Sequence, residues 1–294
     1  GADGIPGTPI HALDEYMAMI PGNDEVVLTE LLTNDVLQPG GKNSFNPTQN
    51  AVVFKNRTAK VRQCKVDLEF THTQIMAFYK SYLGQIAAKK IDPSKLPFEE
   101  HIIAEVVKRV KENLRVKSLY NSVYNPAGSS PLDVFDGLST QITAAIASGD
   151  VPAANIAAAN TLTGGNAVGE LEKIVAVISD AYFYSGVVCV CSRKQKTFYE
   201  ADYRARYGSL PYNSSTEKGF IDGTNIPFVV EPGYAGDFPI FTPKGNLAYL
   251  YDDEGKVDNL DFEYTKKTRS LAYIMDFQAA TGIAAAELIW GADN

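Results

Sequence analysis

Between Gly186 and Trp290 the chain sets short strand-like runs around one charged helix, in an unusual order that constrains the fold more than any other feature. The stretch begins with Val187-Val188-Cys189-Val190-Cys191. Five consecutive apolar residues with a helix on either side fit a central strand buried on both faces. A polar, Tyr-rich helix follows from Lys194 to Tyr207, opened by Ser192 and Gln195 in capping-box spacing and ended at Gly208. After a Gly/Asn/Ser-rich loop to Gly223 come the strand Ile226 to Val230, the turn Pro232-Gly233 and the run Phe238 to Asp252. Three more strand-like runs close the chain.

Upstream the pattern is different. Residues 1 to about 50 are rich in Gly, Pro and Asn, broken by one apolar patch from Val26 to Leu37. They predict an extended arm that takes its order from neighbours. Residues 51 to 70 predict two strands, Ala51 to Phe54 and Ala59 to Phe70, with polar Lys55-Asn56-Arg57-Thr58 as a hairpin tip. Two helices follow. Thr71 or Thr73 caps the first, whose stripe is Ile75, Phe78, Tyr79, Tyr82, Leu83 and Ile86. The second starts after Leu96-Pro97 and carries Ile102, Ile103, Val106, Val107, Val110 and Leu114. Gly, Ser and Pro between Pro126 and Pro131 mark an internal boundary. Beyond it, Ser130 and Asp133 predict the start of a helix running to Gly149. Ala153 to Gly165 predicts a loop, and Asn166 to Phe183 an amphipathic helix with Val168, Leu171, Ile174, Val175 and Ile178 on one face.

Composition narrows the function classes. A net charge of -8 argues against a broad basic surface for nucleic acid, and 45% hydrophobic residues supply a packed core. No run of about 18 apolar residues is present, so no membrane span is expected. The first nine residues lack a cationic stretch followed by an apolar one and do not read as a signal peptide. Cys64, Cys189 and Cys191 form no CxxC pair. Cys189 and Cys191, two apart in a strand, share one face and read as small buried hydrophobes.

Catalytic patterns are missing. His11, His72 and His101 are the three histidines, and no HExxH, GxSxG or Ser-His-Asp pattern accompanies them. No catalytic residue, cofactor or metal is therefore assigned. Asp252, Asp253, Glu254, Asp258 and Asp261 surround Gly255 but do not follow the calcium-loop order. They read as a solvated hairpin tip. On the second helix, Lys108, Arg109, Lys111, Arg115 and Lys117 face Glu99, Glu100, Glu105 and Glu112, which reads as a solvated helix surface.

Several motifs, in fixed order, resemble the major capsid proteins of tailed bacteriophages. Leu132-Asp133-Val134-Phe135-Asp136-Gly137-Leu138 resembles the segment after that family's spine helix. Tyr182-Phe183-Tyr184 resembles the point where that family enters its central sheet, Tyr199 to Tyr203 with Tyr207-Gly208 its following helix, and Thr242-Pro243-Lys244-Gly245-Asn246-Leu247 its strand turn. Gly282 to Trp290 resembles its closing strands. The resemblance covers most of residues 50 to 290. It implies an α+β, Hong Kong 97-type capsid fold with an N-terminal arm (1–50) and an extended hairpin loop (51–70). A peripheral domain with the spine helix (71–130), an axial domain (131–240) and returning peripheral strands (241–294) follow.

The same resemblance implies a structural subunit of an icosahedral phage or prophage shell around a DNA genome. Its partners would be copies of itself in hexamers and pentamers, scaffold and portal proteins, and packaged DNA through weak non-specific contact, with no membrane. The virion capsid, assembled in the bacterial host cytoplasm, would be its location. Candidate subunit-interface residues are Phe54, Lys55, Asn56 and Arg57 at the hairpin, with Asp252, Asp253 and Glu254. Lys55 and Asn56 do not establish the Lys-Asn crosslink that some relatives form. The nearest alternative is an encapsulin-like shell around a protein cargo. More distant are an enzyme using Cys189 or Cys191, and a secreted adhesin, which the odd cysteine count opposes.

Overall fold

Apolar patterning sets much of the local structure in this computed structural model, which describes residues 12–22, 24–33, 52–89, 98–208, 219–252, 260–266 and 269–293. A 3-10 turn, Leu13–Glu15, leads into β1 (Met17–Pro21), and β2 (Glu25–Thr33) pairs antiparallel with β3 (Val52–Lys60) to form a two-stranded ribbon. β4 (Arg62–Thr71) leads into α1 (His72–Lys89), where the Gln74 carbonyl oxygen accepts from both the backbone N–H and the hydroxyl of Thr71. A long helical rod follows: α2 (Phe98–Asn113), a π-helical turn at Leu114–Ser118, and α3 (Leu119–Asn121).

The second half begins with α4 (Leu138–Ser148), closed by Gly149 at φ 78°, where a left-handed residue favours glycine. β5 (Ile156–Ala158), α5 (Ala167–Ala176) and α6 (Asp180–Phe183) precede β6 (Val187–Cys191) and α7 (Arg193–Tyr207). The predicted capping box is present at the start of α7, with Ser192 accepting from the Gln195 N–H and the Gln195 side chain accepting from the Ser192 N–H. The chain ends in β7 (Phe228–Val230), β8 (Ile240–Pro243), β9 (Leu247–Tyr251), β10 (Leu260–Thr265), β11 (Ser270–Ile283) and β12 (Gly291–Asp293).

Besides the β2–β3 ribbon and the parallel β5–β12 pair, two larger sheets organise the described elements. In the smaller, β6 lies between β7, parallel to it, and β8, antiparallel to it. All five β6 side chains are buried, as five consecutive apolar residues predict. Val187, Cys189 and Cys191 pack with Leu171, Ile174, Tyr199 and Trp290 on one side. Val188 and Val190 pack with Tyr16, Tyr120, Leu138 and Ile142 on the other, so one strand serves two cores. In the larger sheet, the 14-residue β11 pairs with β9, β10 and β4.

Four expectations are corrected. The segment Lys55 to Thr58 is not a hairpin tip but the middle of β3, whose partner is β2 and not β4. The tetrapeptide contains none of the Gly, Asn-Gly or Asp-Gly chemistry that a tight hairpin turn needs, and its polar side chains are compatible with a ribbon. Residues 12 to 33 are not a free arm: β1 adds parallel to β9, and Tyr16 and Met17 are buried in the core. The helix placed after Ser130 starts at Leu138 instead. Ser130 and Asp133 close a local turn, with the Asp133 carboxylate accepting the Ser130 N–H and Asp136 accepting the Tyr124 N–H. The helix predicted over 166–183 is divided at Val177 to Ser179, with Ile178 still buried in the core it was expected to line.

Candidate assembly interface

The ribbon carries most of the residues expected to contact neighbours. Strand alternation sends Lys55, Arg57 and Ala59 to one face and Asn56, Thr58 and Lys60 to the other. The first face lies on the body of the same subunit. Ala59 joins Leu28, Val61, Leu250 and Ala280 in a small apolar cluster. Fit there is close: a Cβ on Gly282 would stand 2.8 Å from Leu28 Cδ1. Beyond that cluster the inward side chains become charged. Arg57 Nη2 lies 2.6 Å from Asp150 Oδ2, and Lys55 Nζ lies 2.5 Å from Glu287 Oε1. Asn56, with its neighbours Thr58 and Lys60, is exposed on the outer face.

The structure therefore divides the expected set. Lys55 and Arg57 are engaged within the subunit, whereas Asn56 faces outward. Phe54 lies in β3. Asp252 is half-buried after β9, and Asp253 and Glu254 fall outside the described residues, as does His11.

A second surface was not singled out by sequence. The apolar stripe of α1 finds only part of its partner inside the subunit. Tyr82 is buried, while Met76, Phe78, Tyr79 and Leu83 are each 41% to 49% exposed. Phe78 meets Phe70 edge-on, with ring centroids 5.8 Å apart. Between α2 and the sheet runs a groove of about 1580 Å³, lined by Cys64, Val66, Phe70, Val106, Val110 and Phe277 among others. Contiguous exposed apolar surface of this kind marks an interaction site more often than a simple solvated face. The signal was present in sequence as a stripe of six apolar residues. Helical periodicity alone cannot say whether a stripe is covered from within.

The end of the helical rod is anchored by charge. Arg115, expected on a solvated surface, is buried and forms a bidentate pair with the buried Glu231, at 2.8 Å and 3.3 Å. Gly233 allows the loop after β7 to press on the π-helical turn, since a Cβ there would be 2.5 Å from the Arg115 carbonyl oxygen. Asn121 Nδ2 donates to the Gly233 carbonyl. Tyr16 and Tyr120 share a hydrogen bond of 3.1 Å between their hydroxyls, and burial pushes both well above the usual phenol range. A bidentate buried pair fixes orientation more than it adds net stability, because removing either partner strands a charge.

The three cysteines are buried. Burial pushes the Cys64 thiol up to about 12 and the Cys189 thiol well above its ordinary value, so both stay protonated near neutrality. Among the described residues no group of three or more His, Cys, Asp or Glu could hold a metal ion. Among them, too, no helix is long and apolar enough to cross a membrane.

With this geometry in view, comparison with solved structures is informative. No protein-family model and no curated protein sequence matches the chain. Solved structures do. A chain of the satellite phage P4 procapsid with its size determination (Sid) protein matches at 13% identity and TM-score 0.61, over 94% of this chain and 84% of the other. Mycobacterium phage Ogopogo matches at 12% identity and TM-score 0.55, over 98% and 94%. The holo-SrpI encapsulin complex from Synechococcus elongatus PCC 7942 matches at 9% identity and TM-score 0.53, over 96% and 86%. The chain has the Hong Kong 97-type capsid fold, a mixed α+β architecture, along nearly its whole length.

Proposed function

We propose that this chain is the structural subunit of an icosahedral phage or prophage capsid, assembling with copies of itself into the shell that encloses a DNA genome. The observation that carries this reading is the near end-to-end likeness in fold to a chain of a phage procapsid. The exposed apolar side chains Met76, Phe78 and Leu83 of α1 and the outward face of the ribbon are what a subunit that completes itself against neighbours would display. In this reading residues 71–130 and 241–294 form the peripheral domain and 131–240 the axial domain, with the extended loop carried by β2 and β3. Phe54, Asn56 and the acidic residues Asp252 to Glu254 contact adjacent copies. Hexamers and pentamers, a scaffold and a portal complete the assembly in the host cytoplasm, and DNA is touched only weakly. The subunit performs no catalysis.

The encapsulin match supports a second reading, a shell around a protein cargo. Particles from cells expressing the chain with its neighbouring genes separate the two. Nuclease-protected DNA inside closed shells supports the capsid, a folded protein cargo supports the alternative, and absence of closed particles overturns both.

A further inference from the structure

The inward face of the ribbon changes character along its length. Near its base it is apolar, where Leu28 and Ala59 meet Leu250 and Ala280. Farther out it is charged: Arg57, across the ribbon from Leu28, reaches Asp150, and Lys55, across from Glu30, reaches Glu287. Apolar burial is not weakened when salt screens charges, so a contact meant to be permanent would continue the apolar alternation. Exposed ion pairs are weak and readily broken. The side chains here are partly open to solvent: 27% and 50% for Arg57 and Asp150, 47% and 31% for Lys55 and Glu287.

Both acceptors stand on segments that are tied down by polar side chains of the body. The Ser148 hydroxyl donates to Asp150 Oδ2 at 3.0 Å, in the turn that closes α4. Asn155 Nδ2 donates to the carbonyls of Glu287 and Ile289 at 2.7 Å and 3.1 Å, fixing the 3-10 turn that carries Glu287. Asp150, with its carboxylate held by Ser148, and Glu287, on a backbone turn held by Asn155, face two cations two residues apart on one strand.

We propose that Lys55–Glu287 and Arg57–Asp150 form an electrostatic latch that holds the β2–β3 ribbon against its own subunit and opens reversibly. The latch itself does not depend on the shell reading. Its consequence does: under that reading, opening exposes the charged part of this ribbon face, and the carboxylates of Asp150 and Glu287, to a second copy of this chain.

Hydrogen exchange on the full chain, kept below its association threshold, tests the latch without reference to shells. Raising salt from about 0.01 M to about 1 M shortens the screening length from about 30 Å to about 3 Å. Exchange of the β2 and β3 amides should then rise roughly 2- to 30-fold, the range that two exposed ion pairs represent, while β6 stays protected. Lys55→Glu with Arg57→Glu should give the same rise at low salt, and adding Glu287→Lys with Asp150→Lys should restore slow exchange. Ribbon exchange that is the same at both salts, or unmoved by reversal in a chain whose β6 remains protected, overturns the latch. If the reversal loses β6 protection, the salt series on the unaltered chain decides. Slow assembly with a working latch would count against the shell reading alone.

Discussion

The strand β6 and the helix α1 are both apolar, yet they meet opposite fates within one subunit. Val187 to Cys191 are covered on both faces, by α5 and α7 on one side and by Tyr120, Leu138 and Ile142 on the other. On α1, Tyr82 is buried but Met76, Tyr79 and Leu83 remain more than two-fifths exposed. The contrast separates a part of the molecule that folds for itself from a part whose apolar surface is left for something else. Burial of a Leu or Phe side chain is worth about 1.5–3 kcal/mol, so several left open represent a substantial unspent driving force for association.

The contrast can be broken at its strongest point first. Val188→Asp should abolish stable folding or cost upward of about 4 kcal/mol, because a lone charge would sit between two cores. Chemical denaturation should show it as a large drop in midpoint. Arg115→Ala should cost about 3–5 kcal/mol by stranding Glu231, and Arg115→Met with Glu231→Leu should recover most of that loss. A double variant no better than the single one would show that packing around the π-helical turn, and not the stranded charge, sets the cost.

A smaller effect is expected at Glu170. Lys173 beside it and the Asn160 backbone N–H hold its carboxyl down at about 2, against an ordinary value of 4.5. A depressed carboxylate contributes stability that is fully present above the ordinary value and lost as pH falls through the folded one. Glu170→Gln should therefore lower stability by about 1–2 kcal/mol at neutral pH, discounted for the exposed Lys173, with the difference shrinking from about pH 4.5 and gone near pH 2. Thermal melts of both chains across that range check the sign.

The smallest effect on folding is expected where the effect on assembly is greatest. Met76→Ser with Leu83→Ser should change subunit stability by about 0.5 kcal/mol or less, since both side chains are already wet. The same change should sharply reduce association. Tyr82→Ala, on the same helix but buried, should do the reverse and destabilise the subunit by about 3 kcal/mol.

What could be read from the sequence was local. The β6 run, the Ser192/Gln195 capping box and the glycines at positions 149 and 208 are signals carried within one turn or one strand, and each appears in the structure. The order of motifs along the chain also pointed to the fold. Pairings between distant segments could not be read in this way. β1 alongside β9, β2 against β3, and Arg115 with Glu231, 116 residues away, depend on which surfaces meet after collapse. Lys55 to Thr58 shows the limit most plainly. Four polar residues look like a turn until the sockets at Asp150 and Glu287 show that two of them have partners on the body.

The role proposed for the exposed α1 surface is to be covered by further copies of this chain. Light scattering of the purified full chain across protein concentration and ionic strength tests it most directly. Subunits with a net charge of -8 repel one another until salt screens them, so scattering should rise cooperatively above a threshold concentration that falls as salt is added. Met76→Ser with Leu83→Ser should move that threshold upward. A monomeric mass at every concentration and salt, with the double variant indistinguishable from the parent, would contradict the account.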